Sequence, residues 1–474
     1  MNQAGSNSKL TYVQMAAFGS GHLVNNLFPG ALGVFSFFLL TTFGMDPFLA
    51  GLLGGIPRIY DAITDPIMGY ISDNTTSRWG RRRPYIFIGA ITSGILFACL
   101  WQMDTANTQT YNFWYFMLFS LLFLTGNTIY STPLIGLGYE MTSDYNERTK
   151  LMGFSQTISQ LAWMIVPWLW VMIANPDLYA NQGIAIRSLS MWVGGACLLL
   201  GIMPAMFCRE INQDAITNRD TITLKNIFHN MNGLWNNMKL ISKNTPFVKL
   251  CMATFLVFNG FQMVASFSFF IIVYYLFNGS FENAGNWPAW FSTIGAIATA
   301  FFIIPIITWM SNKWGKRKAF IISTAISIIG YILKWWGFSP DNIWMMFIPI
   351  PFLSFGLGGL FTLMMSMTAD VCDLDELNNG MPRKEGTFGA IYWWMVKLGQ
   401  GLALVLGGLV LKFIGFEGGA AFQTQETLIQ LRLADILIPS ITAGLAILVM
   451  WNYDLDEEKA YAIKAELIQR RGEL

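Results

Sequence analysis

Twelve runs of apolar residues, each near the length that crosses a hydrocarbon core, decide what this chain can fold into. They fall at about 12–43, 48–72, 84–103, 113–140, 150–174 and 186–207, then at about 246–278, 286–311, 319–337, 342–369, 386–414 and 431–452. Lipid offers the backbone no hydrogen-bond partners, so runs of this kind must be helices. The expected fold is an all-α membrane protein of twelve transmembrane helices in two six-helix halves. Of 474 residues, 54% are apolar and only 12% charged, against roughly 25% charged in soluble domains. The domains read as an amino-terminal bundle over 1–207, a linker over 208–245, a second bundle over 246–452 and a cytoplasmic tail over 453–474.

Charge orients the chain. With a cytoplasmic amino terminus, the short loops on that side carry most of the 29 Lys and Arg, and only Arg187, Lys334, Lys412 and Arg432 lie near the opposite face. Both termini are then cytoplasmic and the protein sits in the cell's inner membrane, with the lipid bilayer as its medium and no signal peptide evident. A net charge of +1, with no basic patch interleaved with aromatics, argues against nucleic acid. The five cysteines show no C-x-x-C spacing and His22 and His229 stand alone, so neither a disulfide framework nor a resident metal or other cofactor is expected. No H-E-x-x-H, phosphate loop or nucleophile elbow occurs, which argues against an enzyme. A monomer is the expectation.

An internal repeat supports the two halves. WGRRRPYIFI at Trp79–Ile88 recurs as WGKRKAFII at Trp314–Ile322, each time between the second and third spans of its six, and the same offset carries Arg148 onto Arg383. Duplication of this kind relates the halves by an axis normal to the membrane. Asp73 with Arg78, Arg81, Arg82 and Arg83, and Glu140 and Asp144 with Arg148, place opposite charges at helix ends. They are expected either to bridge and close a cytoplasmic gate in one state or simply to set topology. In the linker, the seven-residue spacing of Ile227, Leu234 and Ile241 suggests a short interfacial helix or a solvated tether.

The second span carries the chemistry. GGIPRIYDAITDPIMG at Gly54–Gly69 holds Asp61 and Asp65 four residues apart, hence on one helical face, with Arg58 one turn before and Thr64 beside them. An Asp or Arg at bilayer depth costs roughly 2.5–3.5 kcal/mol even on lenient insertion scales, so three together mark an ion or substrate pathway. Lys397 on the eleventh span lies at the same depth as Asp61, ~16 Å at ~1.5 Å per residue, so the two are expected to pair. That pair either locks the halves together or serves coupling. Asp61 and Asp65 against Lys397 leave one negative charge, suited to a monovalent cation. Oxygens of Thr64 and Thr128 would complete a Na⁺ site, and carboxylates also take protons, so H⁺ is the other candidate coupling ion.

A second set of polar and aromatic groups faces several spans. His22, Asn25, Asn26, Asn127, Tyr130, Ser131, Gln156, Gln160 and Trp163 belong to the first half, and Asn259, Gln262, Tyr392, Trp393 and Gln400 to the second. Amides, hydroxyls and indoles suit a small-molecule sugar, whose hydroxyls take hydrogen bonds and whose apolar face stacks on rings. Any one of them alone would serve helix–helix hydrogen bonding equally well.

PRIYDAITDPIMG, the following SDNTTSRWGRRRPY, PLIGLGYEMTSDYNERTKL after the fourth span, and ADVCDLDE with EGTFGAIYWWMVKLGQG resemble the glycoside-pentoside-hexuronide:cation symporters. That family, which includes the melibiose permease, belongs to the major facilitator superfamily, and the resemblance covers essentially the whole chain. It implies the twelve-helix major facilitator fold, alternating access and cation-coupled uptake. Position by position it implies that Asp61, Asp65 and Thr128 bind the cation and that Lys397 is the span-eleven lysine. The departures bear on the substrate. No acid lies between Tyr12 and Phe43 to match the permease's sugar-binding acid; its span-four acid aligns with Ser131, its span-five arginine with Gln156, and the asparagine between its aspartates with Thr64. A neutral glycoside or oligosaccharide is therefore expected rather than a galactoside or uronate. The alternatives are a lysolipid symporter, since the family has lysolipid-carrying relatives, and a sugar sensor that does not transport.

Overall fold

The computed structural model describes residues 10–142, 145–210, 222–223, 225–227, 231–233, 243–379, 385–455 and 457–471, and among them regular structure is helical throughout. The chain divides into two units, Met1–Met231 and Asn232–Leu474. In the first, α1 (Tyr12–Thr41), α2 (Pro47–Asn74), α3 (Arg83–Leu100), α4 (Gln109–Glu140), α5 (Tyr145–Ile165) with α6 (Pro167–Ala174), and α7 (Gln182–Phe207) form six spans. Among the described residues, eleven helices are long and apolar enough to cross a membrane. The twelfth span is α2, whose 28 residues suffice in length while Arg58, Asp61, Asp65 and Asp73 break its apolar run. The span expected to carry the chemistry is the one composition alone would discard.

Local sequence sets the helix ends. Thr11 and Gln14 form a capping box at the start of α1, Asp46 accepts the Phe48 and Leu49 amides ahead of Pro47, and Thr108 caps α4. α1 packs on α5 and α7, α3 on α4 and α7, and α2 on α4. Phe28, Phe97 and Phe123 meet with ring centroids 5.1–5.5 Å apart and form the middle of this unit.

The second unit comprises α8 (Thr245–Val264) followed by α9 (Phe267–Phe270) and a π-helix at Ile271–Leu276; α10 (Phe281–Ala284); α11 (Trp287–Ile297), a π-helix at Ala298–Ile303 and α12 (Ile304–Trp314); α13 (Lys316–Gly337); α14 (Ile350–Asn379); α15 (Glu385–Phe413); α16 (Gln425–Trp451) and α17 (Glu457–Arg471). Spans seven and eight are thus not uniform α-helices, since each contains a wider π turn. The tail expected over 453–474 is built into the unit: Tyr453, Leu455, Ile463 and Leu467 are buried in the same core as Phe247, Leu363 and Phe388. Of the linker's three apolar positions, Ile227 is helical, and Leu234 and Ile241 lie outside the described residues.

The repeated W-G motif has a physical basis. Gly80 and Gly315 take φ of 108° and 80°, where a side chain is strained. A Cβ on Gly80 would stand 2.0 Å from Glu210 Oε2, and one on Gly315 2.8 Å from Glu457 Oε2. In both units a glutamate just past the sixth span closes over the glycine before the third.

Candidate cation and substrate sites

The candidate cation-site residues come together where α2 meets α4. Asp61 and Thr128 are each 2% exposed. Thr128 Oγ1 lies 2.9 Å from Asp61 Oδ1 and 3.1 Å from Asp65 Oδ1, so the i, i+4 spacing does bring both carboxylates to one point. A hydroxyl has one proton and serves one of them at a time. Thr64 Oγ1 lies 3.3 Å from Thr128 Oγ1 and donates to the Asp61 carbonyl, while Thr132, absent from the sequence reading, donates to Asp65 Oδ1 at 3.3 Å. One turn away, Tyr60 and Thr125 hydroxyls meet at 2.9 Å. The result is a compact all-oxygen set with two negative charges. Carboxylate, hydroxyl and carbonyl oxygens are the ligands hard cations take. Arg58, half-buried, sits on the preceding turn of α2. Lys397 is half-buried on α15, in the other unit.

The expected sugar-binding residues separate into those the structure presents and those it withdraws. On the first unit, Asn26 Oδ1 accepts from Trp163 Nε1 at 3.2 Å and Asn26 Nδ2 donates to the His22 carbonyl at 3.0 Å. The Trp163 indole remains 42% exposed. His22 lies edge-on to Phe18, with Nε2 buried and without a hydrogen bond, as is Asn127 Oδ1. Asn25 and Gln160 are half-buried, Gln156 is exposed and Ser131 is buried. α1, α4 and α5 therefore carry a polar patch with spare hydrogen-bonding capacity.

Tyr130 does not join it. Its side chain is fully buried and its hydroxyl donates to the Gly21 carbonyl at 3.1 Å, while its backbone faces Gly89 so closely that a Cβ there would lie 2.5 Å from the Tyr130 nitrogen. It holds α1, α3 and α4 together. Tyr392 is likewise withdrawn, its hydroxyl accepting from Thr254 within the second unit's core. Its neighbour Trp393 is exposed, with Gln262 and Gln400 half-buried. Asn259 is buried against Gly399, where a Cβ would stand 2.3 Å from Nδ2, and both its amide atoms are buried without hydrogen bonds.

The basic motif after α2 is bound inward. Asp73 pairs with Arg82, and Arg81 donates to the Asp73 carbonyl at 3.2 Å. Glu210 accepts from the Arg82 backbone amide at 2.9 Å and lies 3.9 Å from Arg81 Nε. Arg83 donates to the Ala205 carbonyl at 2.7 Å and covers the Trp79 ring. Arg78 is exposed. Arg82 is thus the partner of the Asp73 carboxylate and Arg81 of its carbonyl, and Glu210 is a member the sequence reading missed, because it falls where a tether was expected. Asp144 and Arg383 lie outside the described residues, as do the side chains of Glu140 and Arg148.

Residues 17–457 match the family model for MFS/sugar transport proteins. The chain belongs to that family. The isoprimeverose transporter of Lactiplantibacillus pentosus is 22% identical, over 89% of this chain and 84% of its own length. The sodium-dependent lysophosphatidylcholine symporter 1 of Gallus gallus is 23% identical, over 94% and 86%. Among solved structures, a bacterial homologue of the human lysosomal transporter Spinster superposes with a TM-score of 0.69 at 15% identity, covering 95% of this chain and 98% of the other, and shows the shared fold. The protein is a multi-pass symporter of the major facilitator superfamily, the melibiose-permease-like branch, with the twelve helices in its fold.

Proposed function

We propose that this symporter imports a neutral glycoside or oligosaccharide together with Na⁺ or H⁺ by alternating access. The observation that carries the reading is the convergence of Asp61 and Asp65 on the Thr128 hydroxyl, at 2.9 and 3.1 Å, within a unit that also presents Asn26, His22 and Trp163. Cation binding neutralises charge that the bilayer disfavours, so the loaded carrier crosses its transition more readily than the empty one. Lys397 of the second unit is proposed to serve coupling, with both termini cytoplasmic in the inner membrane. The amide, imidazole and indole groups hold hydroxyls without a charge, in keeping with an uncharged sugar.

The likeness to a lysophosphatidylcholine symporter supports a second reading, an amphiphile carried by the same cation site. One experiment separates them. Proteoliposomes containing the full chain are offered labelled isoprimeverose, other neutral di- and oligosaccharides, a glucuronide and lysophosphatidylcholine, each with and without an inward sodium or proton gradient. Gradient-driven accumulation of a neutral saccharide is the expected result. Sodium-driven movement of lysophosphatidylcholine with no saccharide accumulated would establish the second reading instead.

A further inference from the structure

Three charged groups of the second unit take no part in the sites above. Lys334 on α13 and Asp435 on α16, 4% and 1% exposed, form an ion pair. Lys334 Nζ also donates to Ser268 Oγ on α9 at 2.9 Å. About one turn along α16, the Arg432 guanidinium lies between two rings, 4.2 Å from the Tyr275 centroid and 4.3 Å from that of Trp335, and donates to the Trp335 carbonyl. Spans seven, nine and twelve are therefore tied together twice, at the end of the unit that carries Leu276, Gly337 and Gln425.

On span seven, Thr245–Leu276, both ties fall beyond a break in its regular helical hydrogen bonding. α8 ends at Val264, Ala265 and Ser266 form a turn, and the chain resumes as Phe267–Phe270 and the π-helix Ile271–Leu276. Ser268 and Tyr275, the two residues seized by Lys334 and Arg432, lie on the part of the span beyond this break. π turns are uncommon and concentrate at working parts of helices, and an interrupted helix supplies a hinge.

A permanent joint between three helices needs no charge. Apolar residues of the same volume commonly replace a buried ion pair with no loss of stability, or with a gain. An ion pair differs from an apolar contact in its response to water. Between an effective dielectric near 20 and that of bulk water near 80 the attraction falls about fourfold, while the freed charges gain hydration. Such a contact is firm when its surroundings are dry and weak when they are wet, which is the property a reversible closure requires.

We infer that Lys334, Asp435 and Ser268 form an ionic lock on a hinged arm of span seven. The arm, Phe267–Leu276, is held against α13 and α16 while that end of the unit is dry; it turns about Ala265–Ser266 as water enters, and the lock opens and re-forms once per transport cycle. Lys334, Asp435 and Ser268 are positioning residues in this scheme. It rests on the chain being a carrier and not on the identity of sugar or ion.

The test uses the full chain in proteoliposomes. Lys334→Met and Asp435→Leu singly leave a buried charge without its partner and are expected to lower transport at least tenfold. The double variant K334M/D435L is expected to regain the parent's amount of inserted, folded protein and its KM, with kcat still at least fivefold lower. Transport is read with isoprimeverose or with whichever saccharide of the panel the parent accumulates most. A cysteine at Val273, a fully buried position on the arm, reads the hinge directly. A membrane-impermeant maleimide is expected to label V273C at least fivefold more slowly in the double variant than in the parent background, because the apolar contact does not loosen as water enters. Labelling needs no substrate, so it remains decisive if the sugar reading fails. A double variant with parental kcat would make the pair a static brace, and unchanged V273C labelling would remove the hinged arm; either result overturns the inference.

Discussion

Each unit buries ionised side chains among its helices, and the two solve the cost of doing so in opposite ways. In the first, two acids share one hydroxyl and bring a surplus of negative charge to α2 and α4. In the second, Lys334 and Asp435 cancel each other on α13 and α16, with Ser268 as a third partner. A site with surplus charge attracts an ion from outside, and its stability depends on what is bound. A site whose charges cancel binds nothing and depends only on staying dry. Two clusters alike in residue type thus differ in role according to whether their charges sum to zero.

The largest effect should come from removing the surplus. Asp61→Asn is expected to abolish gradient-driven accumulation, at least a hundredfold, while exchange of substrate across the membrane persists, because translocation of a loaded carrier survives the loss of coupling. Uptake with and without a sodium gradient, beside equilibrium exchange, checks it. Accumulation at the parental level would show that the acids hold helices together and bind no coupling ion. Next in size is the converse change. Lys334→Met should cost about 3–5 kcal/mol of stability by stranding Asp435, and K334M/D435L should return to within about 1 kcal/mol of the parent. Thermal unfolding of the detergent-solubilised protein reads both, and equal losses in the single and double variants would contradict the cancellation.

The contrast also shows how far the sequence could be read. Asp61 and Asp65 are legible because acids four apart in an apolar run have few innocent explanations, and Thr128 is legible only through the family resemblance. Thr132 is not, since a hydroxyl on α4 carries no mark of which helix it faces. The spans are legible from length and hydropathy, and the breaks within spans seven and eight are not: a π turn is a slip in hydrogen bonding with no composition of its own. Lys334 and Arg432 read as charges near a span end that set topology, which leaves Asp435 without a role until three helices are folded together. Glu210 and the tail helix Glu457–Arg471 were hidden for another reason. A polar segment after a last span looks like a tether, and only packing shows that Glu210 reaches the Arg82 amide or that Ile463 and Leu467 enter the core. Polarity alone also placed Tyr130 and Tyr392 among the candidate sugar-binding residues, and their burial gives them to helix packing.

Smaller changes grade the first site. Thr128→Ala removes a hydroxyl hydrogen-bonded to charged groups, typically worth about 1.5–3 kcal/mol, so half-saturation by the coupling cation should rise about tenfold or more. Thr128→Ser keeps the hydroxyl and should stay near the parent. Thr132→Ala, which loses a single longer contact to Asp65, should raise it about threefold. Cation titrations of uptake give all three. A larger effect at Thr132 than at Thr128 would move the centre of the site toward Asp65.

The smallest effect belongs to an ion pair in contact with water. Asp104, in the loop after α3, accepts from the Ala106 amide at 2.9 Å and pairs with Arg187 at 2.6 Å. Those two partners, the amide first, hold its carboxyl below the ordinary carboxylate range. A carboxyl lowered on folding stabilises the folded state while ionised. Its contribution is complete above the unfolded value of about 3.9 and is lost as pH falls through the lower folded one. Asp104→Asn should therefore lower the melting temperature only slightly, by the same amount at every pH from 8 to about 5. The gap should close only below about pH 4. Melting curves of parent and variant across that range test it. A gap that narrowed between pH 8 and 6 would mean that a group other than this carboxylate is titrating, and a gap as large as that of Lys334→Met would show that exposure to water does not separate weak pairs from strong ones in this protein.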